Sequence, residues 1–191
     1  MKRPGESAIS PPSSPEPKPR SSPSESPSYR ANDPLWQKIR DFPLDEADSR
    51  LPFTRRLARE NAWSLGFAMR VVSEYRRFLY LGQRAGHMVA PSDEVDQAWH
   101  LHLIYTYSYW QELCGEVLGA PFHHGPTRGG AEESEKHHDL YALTLDSYRR
   151  LFDEEPPADI WPSAEERFTI DALRIRRRDV WVIRKPWRPA R

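Results

Sequence analysis

Between Pro91 and Gly119 the chain reads PSDEVDQAWHLHLIYTYSYWQELCGEVLG, and this stretch restricts the fold more than any other. Val95, Trp99, Thr106, Trp110, Leu113 and Val117 recur at three- and four-residue intervals, the spacing of one helix face. Ser92 is placed to cap the start, Asp93 and Glu94 complement the positive end of the helix dipole, and Gly119 followed by Pro121 closes the segment. The pattern predicts one long helix. His102 falls on its core face, with Thr106 four residues on to satisfy a ring nitrogen. Asp96, His100, Tyr107 and Cys114 fall on an adjoining polar seam.

Shorter helical patterns surround this stretch. Asp33 and Pro34 form a cap and first helical position ahead of Leu35, Trp36 and Ile39, and Pro43 ends that helix. TRRLARENAW from Thr54 leads into a third helix from Ser64 to about Gln83. Ala68, Val71, Val72, Tyr75, Phe78 and Leu79 line one side of it, with Arg70, Glu74, Arg77 and Arg84 away from them. After the loop APFHHGPTRGG, Tyr141, Leu145, Tyr148 and Phe152 mark a further helix from about Ala131. Paired prolines in EEPPADIWP break it, leaving Trp161 to dock onto the core.

The expected fold is all-α: a single domain of four to five helices over residues 31–168. At 191 residues and 38% hydrophobic content the chain can bury one core but hardly two. Residues 1–30 hold eight Pro and nine Ser without apolar periodicity, so they are expected to form a disordered arm. Residues 169–191 are expected to form a basic extended tail, with Val180 to Ile183 as a short strand. No signal peptide and no run long enough to cross a bilayer is evident, and there is one Cys, so the expected location is the cytoplasm.

The formal net charge of zero divides into +2 for residues 1–30, −9 for 31–171 and +7 for 172–191. An acidic body repels the polyanions that a basic tail would attract, which argues against nucleic acid and leaves protein partners as the expected class.

Chemistry concentrates in histidine. Six of the seven His residues lie between positions 100 and 138. On a regular helix His100 and His102 are about 200° apart and do not share an ion, whereas Asp96 and His100 face one side. His123 and His124 follow the helix and reach His100 only if their loop folds back along it, over roughly 27 Å. The metal candidates are therefore Asp96 and His100 with His123 or His124, joined by His102 if the helix is distorted, for Zn²⁺ or another divalent transition metal. The alternative is that these histidines pin the loop to the helix by hydrogen bonds. His137 and His138 are read as peripheral. Cys114 is read as a small buried residue, since only His123 or His124 could approach it as a base.

VDQAWHLHL, the downstream YW and Cys114, and then HHGP resemble the helical domain of unknown function in the glycine-rich domain-containing protein family. RLARENAW, EYRRFL, HHGPTRGG and PPADIWP are similar to a bacterial short branch of it. The likeness spans about residues 50–168. It implies an all-helical domain in which Asp96, Trp99, His100, His102, Tyr109 and His124 act as a unit, with no reaction attached. With only nine Gly, the chain lacks the family's glycine-rich extension. Two functions follow as expectations. One is a helical interaction or scaffolding module in which Trp99, His102 and His124 are structural and the proline-rich arm and basic tail are tethers. The other is a metal-binding protein supporting metal-assisted hydrolysis.

Overall fold

The computed structural model describes residues 32–46, 48–125 and 131–170, without the side chains of 131–134, 169 and 170. The expected N-terminal arm, and the basic tail with its strand from residue 171 onward, lie outside the described residues. Within them the protein is all-α, and there is no strand.

Among the described residues, six α-helices and one π-helix have defined ranges: α1 Pro34–Asp41, α2 Phe53–Asn61, α3 Leu65–Arg84, α4 Asp93–Ile104, the π-helix Ser108–Leu118, α5 Ala131–Phe152 and α6 Ala164–Ile170. The expected four to five were too few for two reasons. The predicted long helix is divided, and a short helix follows the proline break. The division falls at Tyr105, whose ψ of 64° leaves the helical region. Beyond it the chain winds more widely, and the Gly119 amide closes on the Cys114 carbonyl five residues back.

This change of winding shifts the face the sequence predicted. Thr106 and Trp110, assigned to the apolar face, are exposed, while Cys114, placed on the polar seam by spacing, is buried, as its reading as a small buried residue expected. Thr106 therefore does not serve His102.

Local chemistry sets the helix starts. Asp33 accepts from the Leu35 amide (2.8 Å) ahead of Pro34, Ser64 from the Phe67 amide (3.1 Å) and Ser92 from the Val95 amide (3.3 Å). Asp45 caps α2 from outside its own turn, accepting from the amide and hydroxyl of Thr54 at 2.7 Å each. Asp33 also accepts from Tyr80 Oη (2.9 Å) and Arg84 Nε (3.0 Å), which ties the start of α1 to the end of α3.

The hub of the molecule is α3, which packs against α1, α2, α4 and α5. Tyr75, Phe78 and Leu81 are fully enclosed, and each such side chain contributes about 2 kcal/mol of burial free energy. Glu74, predicted to face away from the core, is instead 7% exposed. Trp161 Nε1 and Tyr148 Oη donate to its carboxylate at 3.0 Å each. Burial raises the Glu74 pKa, opposed by Arg77. The Pro-Pro segment after α5 thus folds back over α3, and a buried carboxylate fastens it there.

Candidate metal centre

Asp96 and His100 stand one turn apart on the exposed side of α4, where the dipole at the helix start favours the carboxylate. His102 points the other way. Its ring is 1% exposed, and it is enclosed edge-on by Phe53, Tyr75 and Tyr109 at centroid distances of 5.8, 5.8 and 5.2 Å. Its Nδ1 shares a 2.9 Å hydrogen bond with Tyr75 Oη, and Nε2 lies 3.4 Å from Ser108 Oγ. Burial, reinforced by Arg76, lowers its pKa to about 4, so the ring is neutral near pH 7. The structure does not bring His102 to the Asp96 cluster.

The third member arrives through the loop after the π-helix. Tyr109, on the π-helix, accepts from Trp99 Nε1 at 2.8 Å and donates to the Phe122 carbonyl. Burial raises the Tyr109 pKa, keeping the phenol protonated for this donation. The Phe122 ring then stacks on Trp99, with centroids 4.8 Å apart and planes at 21°. Gly82 permits this approach, since a Cβ there would lie 2.4 Å from the Phe122 ring. Trp99 and Tyr109 thus form a clamp that returns residues 120–125 to α4. The family resemblance had named both Trp99 and Tyr109 as motif residues, whereas Gly82 carried no local signal.

Two residues past the clamp, His124 packs on Trp99 at 4.4 Å between ring centroids. His124 Nε2 lies 2.8 Å from Asp96 Oδ1, and His100 Nδ1 lies 3.7 Å from Asp96 Oδ2. The two imidazoles are 4.4 Å apart by centroid. One ligand atom from each of Asp96, His100 and His124 falls within 4.8 Å of the others. Ligands of a tetrahedral zinc ion are separated by about 3.3 Å, given bonds near 2.0–2.1 Å. The 2.8 Å contact runs to Oδ1 and the 3.7 Å contact to Oδ2 of the one carboxylate, so an ion would draw the two imidazoles in from opposite oxygens of Asp96.

The remaining histidines have other surroundings. His123 is exposed and lies against Trp110, with centroids 5.5 Å apart. His138 packs on Phe168. His87 bonds to Ser147 Oγ at 2.7 Å, joining the α3–α4 loop to α5. His137, read as peripheral, lines a pocket of about 790 Å³ into which Asp96, Trp99 and His124 also face. Arg167, from the unexpected α6, lines the same pocket.

The fold and this constellation define a class: an all-helical domain with an Asp-His-His group beside a pocket. Residues 49–144, half of the chain, match the UCP032817-like family, and the chain belongs to that family. The matched range contains the cluster, its clamp and Gly82. No curated protein and no solved structure matches the chain.

Proposed function

We propose that this domain binds a divalent transition metal, with Zn²⁺ the first candidate, through Asp96, His100 and His124. The observation that carries the reading is the convergence of one carboxylate and two imidazoles from segments 28 residues apart. Two His and one carboxylate form a donor set used by catalytic zinc sites, which keep a position open for water or substrate. Here His100 is exposed and the pocket adjoins Asp96 and His124, which supports an open position. The reaction class that such a centre supports is metal-assisted hydrolysis. The resemblance to the helical domain of glycine-rich domain-containing proteins supports treating Asp96, Trp99, His100, Tyr109 and His124 as one unit, with His102 as its buried support. We assign the protein to the cytoplasm, given its single, buried cysteine.

The test is elemental mass spectrometry on untagged protein purified without chelators, alongside His100→Ala and His124→Ala. Near-stoichiometric zinc in the parent and loss in both variants is the expected result. Metal-free parent protein that also fails to take up added zinc would refute the assignment.

A protein-interaction role has separate support in the exposure of Ile104 (65%) and Tyr107 (70%) around the break after α4. Large apolar side chains at an irregular junction suit a partner surface. Ile104→Ser with Tyr107→Ser would abolish a partner complex while leaving zinc content unchanged.

A further inference from the structure

The pocket beside the cluster is far larger than an ion and its waters require. At about 790 Å³ it falls in the range of small-molecule sites. Among the described residues lining it, Asp96 is the one carboxylate and Arg167 the one fully charged cation, with Asp93 standing 3.4 Å behind Arg167. Adding a dication to Asp96 makes the balance positive, which favours an anionic ligand.

Arg167 is built to receive one. Its guanidinium lies over the rings of Tyr141 (4.4 Å to the centroid) and Phe168 (5.1 Å), and its side chain is 16% exposed. Such stacking engages the face of the group and leaves its N–H donors, which lie in the plane, free to point outward. One of them meets Asp93 Oδ1 at 3.4 Å, a long contact that leaves the remaining fork for a ligand. The planar fork matches a carboxylate. Met88, Val89 and Leu140 supply an apolar wall in the same pocket.

We propose that the pocket takes a small organic carboxylate. Its carboxylate pairs with Arg167, its apolar body lies along Met88, Val89 and Leu140, and its far end reaches the metal held by Asp96 and His124. The proposal deepens the metal reading and rests on it for the far end only. Arg167 lies beyond residues 49–144, the range that the family model matches.

The experiment is calorimetric titration of the full chain, with and without zinc, using octanoate, octanamide and octyl phosphate as probes. Octanoate should bind at least about tenfold more tightly than octanamide and octyl phosphate. Arg167→Gln should lose about tenfold for octanoate while zinc affinity and the circular dichroism spectrum stay unchanged. Leu140→Glu, which adds a negative charge to the pocket, should weaken octanoate comparably, so the test does not depend on one folded variant. Equal binding of octanamide, preference for octyl phosphate, or octanoate affinity unchanged in a folded Arg167→Gln would each overturn the carboxylate assignment. Absence of zinc binding would sink the metal reading alone. Octanoate binding that depends on Arg167 in the same sample would still uphold the pocket assignment, and no octanoate binding would overturn it.

Discussion

His100 and His102 are separated by one residue on α4, yet one ring is half exposed beside Asp96 and His124, while the other is sealed among Phe53, Tyr75 and Tyr109. A helix turns about 200° over two residues, so one motif delivers the same side chain to the surface and to the core. At the surface the imidazole is open to solvent, with Nδ1 3.7 Å from Asp96 Oδ2. In the core it must stay neutral, and its nitrogens are met by Tyr75 and Ser108. The motif is thus not a chelating pair. On the metal reading proposed above, its first histidine belongs to the site, and its second packs the helix that carries it into the core.

The largest effect that could break this contrast is loss of the core ring. His102→Ala should destabilise the fold by about 4 kcal/mol, combining a cavity of aromatic size with an unpartnered Tyr75 hydroxyl. Urea unfolding measures this, and a loss under about 1 kcal/mol would mean that the ring is not structural. In metal-free protein, His100→Ala should stay within about 0.5 kcal/mol of the parent in the same assay, as expected for an exposed side chain.

Acid should expose the same difference. The folded pKa of His102 is depressed to about 4 from an unfolded value of 6.5, so the unfolded chain binds the proton first. The stabilising difference is present above pH 6.5 and is lost as pH falls through about 4, for a total of about 3 kcal/mol. Stability measured between pH 7 and 4 should fall by that much more in the parent than in His102→Gln. Parallel curves would contradict the assignment.

At the surface, His100→Ala or His124→Ala should weaken zinc at least about a hundredfold, beyond the range typical of outer-shell partners. Competition with a chromogenic chelator reads this directly, and the same assay on His102→Gln should give near-parent affinity. Smaller again is the effect of Trp99→Phe, which keeps an aromatic ring for stacking but removes the donor to Tyr109. Loosening the clamp should cost roughly tenfold in zinc affinity, as for an outer-shell residue. Unchanged zinc affinity would mean that the Trp99–Tyr109 hydrogen bond does not position His124.

Much of the surface half of this comparison was legible in the sequence. The Asp96–His100 spacing placed both on one side of α4, and the Pro- and Gly-rich loop permitted a return. Which of His123 and His124 would meet Asp96 was not legible. That choice depends on Phe122 settling into the space left by Gly82 and on the Tyr109 hydroxyl reaching the Phe122 carbonyl. The core half was partly legible: periodicity put His102 inside but assigned Thr106 as its partner, because it assumed regular winding across Tyr105. Glu74 was misread for a related reason. Periodicity sees a charged residue and assigns it to solvent, while its partners Tyr148 and Trp161 lie 74 and 87 residues away.

By itself, the sequence determined the all-α class, the capped starts at Asp33 and Ser92, and the opposite orientations of the two motif histidines. These follow from interactions within a few residues, which local spacing encodes. The tertiary structure alone decided the break at Tyr105, the choice of His124, the burial of Glu74 and the arrival of Arg167 at the pocket. Each depends on side chains brought together from distant segments, where packing and hydrogen-bond satisfaction override the local pattern.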